Sequence, residues 1–470
     1  MKGDFTKNTF DPGKHFLRVL MQQGRVQLDA DWNEQMSILL HYMQTLATDL
    51  IGPYAGPSGH FGFEISATET DGDLLIGRGR YYVDGILCEN EGATYLHQPD
   101  YPVSVKSDGE PATLPPGRSL VYLDVWERHI SYVEDDDIRE KALRGADTAT
   151  RSKVVWQVKM MPLAERNSSW EKAITRLNTT LSLSQVCMRA RAKRERESDE
   201  PCLIEPEARY RGMENQLYRV EIHDGNIQED GSLDASATTV SCKFSRDNGS
   251  VVFPVRNVTA DAATKTCTVL LEHLGRDEKP GLNVNDWVEL VDDDIILLNK
   301  TVPLLQVREV DSMEGRVVLS WKNGVMVDPE RHALLRRWDQ KAMQGTIPIQ
   351  LSGEGETLTD WIPLENGIEV QFALSRGARI RHGDYWLIPA RAVTGDVEWP
   401  LVTDKEGKRQ RRLLPPLGVA HHFAPLAILR VVENKVKSNT DCRCVFTHLS
   451  EDCKYNFLGR LGTESSCPEG

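Results

Sequence analysis

The sequence has no long hydrophobic run. Its longest apolar stretches, such as Ile295 to Leu298 and Ala424 to Leu429, fall far short of the roughly 20 residues that a membrane-spanning helix needs. No membrane span is therefore expected. The opening Met1-Lys2-Gly3-Asp4-Phe5-Thr6-Lys7-Asn8 has no apolar segment of the secretory kind, so Sec-type export is not expected either. Positive charge is in deficit: Lys and Arg number 56 against 70 Asp and Glu, a net charge of -14. This removes a global basic footprint for nucleic acid and disfavours docking on anionic membranes. Enzyme signatures are missing too. There is no His-Glu-x-x-His, no G-x-S-x-G elbow, no G-x-x-x-x-G-K and no G-x-G-x-x-G after a strand, and the expectation is a protein that is not an enzyme and has no cofactor.

Nine cysteines is an odd number. Cys88, Cys187, Cys202, Cys242 and Cys267 lie singly, which fits reduced and mostly buried thiols in a chain made in the cytoplasm. What the chain does have is bulk. Its 470 residues are 40% hydrophobic and 27% charged, enough for a sizeable core and for two to four domains at about 100–200 residues each.

Patterning gives a mainly β (α+β) fold: a β-sandwich-like domain with an N-terminal helix and an inserted small β-barrel-like module. The helix is read over 31–50, with Asp31 as N-cap and Glu34 completing a capping box. Apolar residues recur at Met36, Leu39, Leu40, Met43, Leu46, Ala47 and Leu50, and Gly52-Pro53 stops the run. The Gly- and Pro-rich segment 52–62 reads as a loop. Residues 1–60 form the N-terminal part and 61–239 a first β-domain. In that domain Arg80 to Cys88 is a hairpin turning at Asp84-Gly85, and Ser119 to Arg128 is a strand apolar on both faces. Within it, 164–206 reads as a polar excursion, with a short helix around Trp170. The segment 240–380 reads as a separate β module, 381–433 as a return to the first domain, and 434–470 as a cysteine-bearing tail.

Several constellations invite chemical readings. Asp29-x-Asp31-x-Asn33 has the oxygen spacing that opens an EF-hand loop, but Glu34 and Leu40 occupy the positions that need Gly and an acid, which favours a helix N-terminus. The triplets Asp135-Asp136-Asp137 and Asp292-Asp293-Asp294 read as turn residues. His421-His422 follows a Pro-rich loop, with Asp404 and Glu406 the nearest upstream acids, and reads as a structural or interface pair rather than a metal site. The basic run Arg189, Arg191, Lys193, Arg194 and Arg196 is interleaved with or followed by Glu195, Glu197, Asp199 and Glu200. It lacks the aromatic interleaving of a nucleic-acid patch and reads as a salt-bridged face. Trp126, Trp386 and Trp399 read mainly as core, with an exposed sugar-binding face as the alternative.

Cys442, Cys444, Cys453 and Cys467 cluster in a segment with little core of its own, where a staple is expected. The staple is either disulfides, for which four cysteines allow three pairings, or zinc, with His448 able to replace one thiol. Free thiols are the third possibility.

The stretches Phe10 to His15 and Val19 to Gln35, the latter reading VLMQQGRVQLDADWNEQ, resemble the opening of a family of large bacterial proteins. Tyr122 to Arg128, Asp147 to Arg151, Asn215 to His223, Phe244 to Phe253 and Gly383 to Arg391 extend the likeness over roughly residues 1 to 432. Proteins with this opening look related to phage-tail and contractile-injection-system components, and Tyr82-Val83-Asp84-Gly85 is similar to strands of phage baseplate and fibre proteins. The resemblance implies a structural part of such a particle, baseplate-, cage- or fibre-associated. It would be assembled in the cytoplasm with other subunits, as a homo-oligomer, and released with the particle. It carries no catalytic residues. Gln23, Arg25, Asp29, Asp31, Trp32 and Asn33 are the expected assembly motif; the competing reading is that they pack the helix on the first sheet. The alternative functions are a carbohydrate- or receptor-binding β-module and a glycoside-active enzyme.

Overall fold

A computed structural model describes residues 1–447 except 69–71, 103–112, 164–174, 176–183, 194–208, 226, 228–237, 276–280, 322–325, 342–344, 352–356, 375–377, 404–406 and 408. The described residues are 46% strand and 11% helix, so the mainly-β expectation holds. It divides into two units. One comprises Met1–Ile38, Glu127–Lys153 and Asn178–Ala420; the other comprises Leu39–Trp126, Val154–Leu177 and His421–Gly470.

The second unit is built on a four-stranded sheet in the order Lys435–Asp441, His422–Val432, Gly117–Ile130, Arg151–Pro162. A smaller sheet holds Tyr54–Pro57 and the hairpin Gly79–Val83 and Ile86–Asn90. Tyr81 and Val83 from the small sheet share a core with Leu123, Trp156, Ala424 and Leu429 from the large one. The strand read as apolar on both faces is buried almost throughout. Asp84 and Gly85 both have positive φ, 46° and 77°, which is the backbone a two-residue hairpin turn of matching twist requires. Tyr54–Pro57 corrects the reading of 52–62 as loop: it pairs with the hairpin through Ala55 and Tyr82. Lys435–Asp441 corrects the start of the tail, because it pairs with His422–Val432 as part of the sheet.

The first unit contains a second sandwich and the barrel. The five-stranded sheet runs Ile347–Gln350, Thr239–Ser245, Gln216–Asp224, Tyr385–Arg391, Asp396–Val397. Facing it, Cys187–Ala192 pairs with Ile368–Leu374, and Tyr218, Phe244, Phe372 and Trp386 pack between the layers. The expected single domain at 61–239 and 381–433 is therefore two bodies. The Tyr122 strand pairs with His422–Val432, whereas the Tyr218 strand pairs with Tyr385–Arg391.

The barrel is closed, in the order Val252–Asp261, Thr266–Leu271, Arg316–Ser320, Leu305–Asp311, Trp287–Val291, Leu334–Trp338. Closure leaves no free edge. It is an insertion, but a narrower one than 240–380. Thr239–Ser245 and Ile347–Gln350 are direct antiparallel neighbours in the sandwich, Cys242 opposite Ile347. The barrel thus occupies the connection between two paired strands. The polar excursion is also corrected. Val186, Met188 and Ala190 are fully buried, and Arg189 and Arg191 point to the other face of their strand, as the two-residue period requires. The expected helix around Trp170 lies outside the described residues.

Sandwich and barrel are joined by buried charge. Lys243, without exposed surface, donates to Glu289 of the barrel at 2.6 Å and lies 3.4 Å from Glu221. Arg219 Nε donates to the other oxygen of Glu221 at 2.6 Å. Trp338 Nε1 donates to Glu289 at 3.2 Å, and the Lys243 ammonium sits 4.4 Å from the centre of the Trp338 ring. Burial alone would raise both glutamates; the facing cations outweigh it and hold both well below the usual carboxylate range. Removing one partner strands the others without solvent. Lys243→Met is expected to cost about 3–5 kcal/mol in chemical denaturation, and adding Glu289→Gln should recover part of the loss. A single-variant loss below about 1 kcal/mol would contradict the joining role.

A candidate assembly surface

The long helix α1 (Asp29–Ile51) starts two residues earlier than expected. Asp31 is inside its first turn rather than at its cap. Thr6 donates to the Asp29 carboxylate through its backbone N–H, at 2.9 Å, and through its hydroxyl. Despite the cost of partial burial, these bonds hold the Asp29 carboxyl below its ordinary range. Thr9 donates to Glu34, so Glu34 closes no capping box, and the Val19 N–H donates to Gln35 Oε1 at 2.8 Å. The arm ahead of the helix thus runs back along its first turns. Its start is seated by Asn248, whose side-chain amide donates to the carbonyls of Met1 at 3.2 Å and Gly3 at 2.9 Å.

The orientation of α1 inverts the usual amphipathic arrangement. Only Ala30 and Ile38 are buried, and Glu34, Ser37, Gln44 and Thr48 are half-buried. The apolar residues face out. Trp32, Met36, Leu39, Met43, Leu46 and Leu50 are between 45% and 71% exposed, with Leu40 and Tyr42 exposed beside them. On the arm, Phe16, Leu17, Leu20, Met21 and Val26 are exposed as well. Exposed apolar surface on this scale marks a site where a partner binds more often than a face left in water.

The expected motif residues separate accordingly. Gln23, Arg25, Asn33 and Trp32 are exposed, and Asp31 is half-buried. Asp29 is exposed but committed to holding the arm. The packing alternative therefore fails for Trp32, which is 71% exposed; Ala30 and Ile38 do the packing. The hairpin tip fixes the helix from below: a Cβ on Gly85 would lie 2.2 Å from the Gln44 carbonyl oxygen.

The other constellations resolve into structural pairs. Asp135 caps a short turn through the Asp137 N–H. Asp292 caps a helical turn through the Ile295 N–H, Asp293 binds Arg128 and His332, and Asp294 binds Arg331 at 2.6 Å. His421 and His422 diverge. His421 meets Asp124 at 2.7 Å and His422 meets Asp84 at 2.8 Å; Asp404 and Glu406 lie outside the described residues. Among the described residues there is no group of three or more His, Cys, Asp or Glu placed to hold a metal. Trp126, Trp386 and Trp399 are all buried, which removes them as a sugar platform. Arg191 stacks 3.9 Å from the centre of the Trp361 ring and binds Glu369 at 2.9 Å; Arg189 lies 5.4 Å from the same ring. The salt-bridged reading holds there, but the aromatic partner comes from a distant part of the chain. Arg194, Arg196 and the acids after them lie outside the described residues.

Cys88, Cys242 and Cys267 are buried free thiols, and Cys442 and Cys444 are also free. Cys202, Cys453, Cys467 and His448 lie outside the described residues, and so does the question of a staple. A polar cleft of about 640 Å³ in the first unit is lined by Arg211, Arg246, Arg337, Asp4 and Asp247. Two of its guanidinium groups are paired with carboxylates, Arg246 with Glu365 at 2.8 Å and Arg337 with Asp339 at 3.3 Å. Burial, and then the Asp339 charge, push the Asp247 carboxyl up to about 6.

The model of a family of unknown function (DUF6519) matches residues 1–185 and 164–460. The chain belongs to that family. No curated protein and no solved structure matches it. The family match spans the arm, α1, both sandwiches and the barrel, and carries no statement of activity or partner.

Two outcomes follow from these contacts. Gly85→Ala should cost more than the ~1–2 kcal/mol of left-handed backbone strain, because the Gln44 backbone must also move. A melting temperature equal to wild type would contradict that contact. Asp124 is the second case. Burial would raise its carboxyl, but His421 and then Lys159 outweigh this and hold it down to about 2, from an ordinary 3.8. A depressed carboxyl stabilises above its unfolded value and loses that contribution as pH falls through the folded one. Asp124 should therefore contribute about 2–3 kcal/mol at neutral pH that disappears between about pH 4 and 2. Asp124→Asn should flatten that part of the acid unfolding curve; an unchanged curve would refute the pairing.

Proposed function

We propose that the protein is a structural component of a phage-tail-like contractile injection particle, acting by protein–protein assembly through its arm and α1. The observation that supports this is the outward apolar face of α1, with Trp32, Leu39 and Met43 exposed and a polar face turned inward. The N-terminal resemblance supports the particle context, since the motif it rests on is the same stretch that forms the arm and the first turns of the helix. On this reading the exposed face of the helix is what the chain presents to its partners. The chain joins the particle in the cytoplasm, at a baseplate-, cage- or fibre-associated position, and leaves with it.

The test replaces exposed apolar residues by charge. Leu39→Glu with Met43→Glu should leave the melting temperature nearly unchanged, since exposed substitutions shift stability by about 0.5 kcal/mol or less. The variant should nevertheless be lost from purified particles, and the particles should be unassembled or unstable. Intact, fully functional particles carrying the double variant, or lacking the protein altogether, would refute the assembly role.

A further inference from the structure

We infer that the outward face of α1 is a coiled-coil seam whose occupant is the same helix of further copies of this chain. The inference rests on the assembly reading above and names its partner. The exposed residues Trp32, Met36, Leu39, Met43, Leu46 and Leu50 are separated by four, three, four, three and four positions. That is a strict seven-residue repeat with every core position apolar from Trp32 to Leu50. A helix packed on a globular body needs a broad stripe at a period of 3.6, whereas a seam at 3.5 stays in line only when helices wind around one another. The partner must then offer a seam of the same period, and among the described residues α1 offers one.

Area and charge agree with self-association. Large apolar side chains each have roughly 150–250 Å² to bury. Six of them about half exposed, with Leu40 and Tyr42 on the flanks, bring the face to on the order of the 800 Å² that each partner of a stable interface buries. The positions flanking the seam are Asn33, Gln35, Leu40, Tyr42, Ala47 and Asp49. Asp49 is their one charge, so copies meet with little like-charge repulsion despite a net charge of -14. Leu40 and Tyr42 continue the apolar surface past the seam on either side, so facing helices find further apolar contact there.

The seam is short, and an isolated helix of 23 residues is marginal in water. Here contacts along its length hold it ready. Thr6, Thr9 and Val19 bond its first turns, Ile38 buries its middle, and the Gly85 tip meets Gln44. Such preorganisation removes the ordering cost that would otherwise oppose association.

The experiment is light scattering on the purified full-length chain at micromolar concentration, with no other particle component present. Wild type should have the mass of a multiple of the 53.0 kDa chain. Leu39→Glu with Met43→Glu should be a monomer with the wild-type circular dichroism spectrum. Thr45→Glu, which changes an exposed residue of the same helix off the seam, should stay oligomeric. A monomeric wild type, or a double variant that stays oligomeric, would overturn the seam. If the wild type is monomeric while the double variant is still lost from particles, the self-partner falls and the assembly reading stands. If the double variant enters intact particles, that reading falls as well.

Discussion

A lysine ammonium with no exposed surface sits between the sandwich sheet and the barrel wall. Lys243 reaches from the sandwich to Glu289 of the barrel, and Arg219 completes the neutralisation of Glu221 beside it. A group of this kind tolerates no half measures. Each charge loses its hydration on burial, and the loss is recovered only when every partner is in place at hydrogen-bonding distance. The barrel interrupts the connection between two paired strands, so the sandwich edge and the barrel wall must meet at one fixed register for these groups to pair. The network makes the inserted barrel part of the body rather than an appendage on a loop.

Much of the β architecture was legible because its signals are local. Asp84-Gly85 needs positive φ at both positions, and the residue types say so. The Tyr122 strand is apolar on both faces because it is covered on both. Boundaries were harder. Thr239–Ser245 and Val252–Asp261 follow one another as equally good strands, and nothing in their patterning says that one belongs to a sandwich and the other to a barrel. Partner choice is decided far along the chain, by Ile347 opposite Cys242 and Leu334 opposite Pro254. Cys187–Ala192 was concealed for a different reason. Its outward residues are arginines, so the density of charge masked the alternating Met188, Ala190 and Ala192 beneath. Those arginines find Trp361 and Glu369 from another part of the chain, a pairing invisible to linear spacing.

The helix illustrates a further limit. Periodicity identifies an apolar face but not the direction in which it points. The usual inference sends such a face to the core, as the packing alternative for the motif did. Here Ile38 and a set of polar side chains take the inward side. Lys243 and Glu289 mislead in the opposite sense, since a charged residue alternating along a strand reads as solvated and is here buried with the core. Both inversions have one origin. Exposure is a property of what surrounds an element, and a sequence window contains only the element.

The contact between the hairpin tip and α1 has a consequence for how this chain can vary. Surface hairpins are ordinarily where length changes are absorbed, because a tip that projects into water can grow without disturbing anything. The tip at Asp84-Gly85 does not project into water. Its second residue lies against the Gln44 backbone so closely that a single methyl group has no room. One inserted residue would have to displace the helix or break the pairing of Val83 with Ile86. The turn is therefore held to its present length by an element more than thirty residues earlier in the chain, and the two are free to change only together.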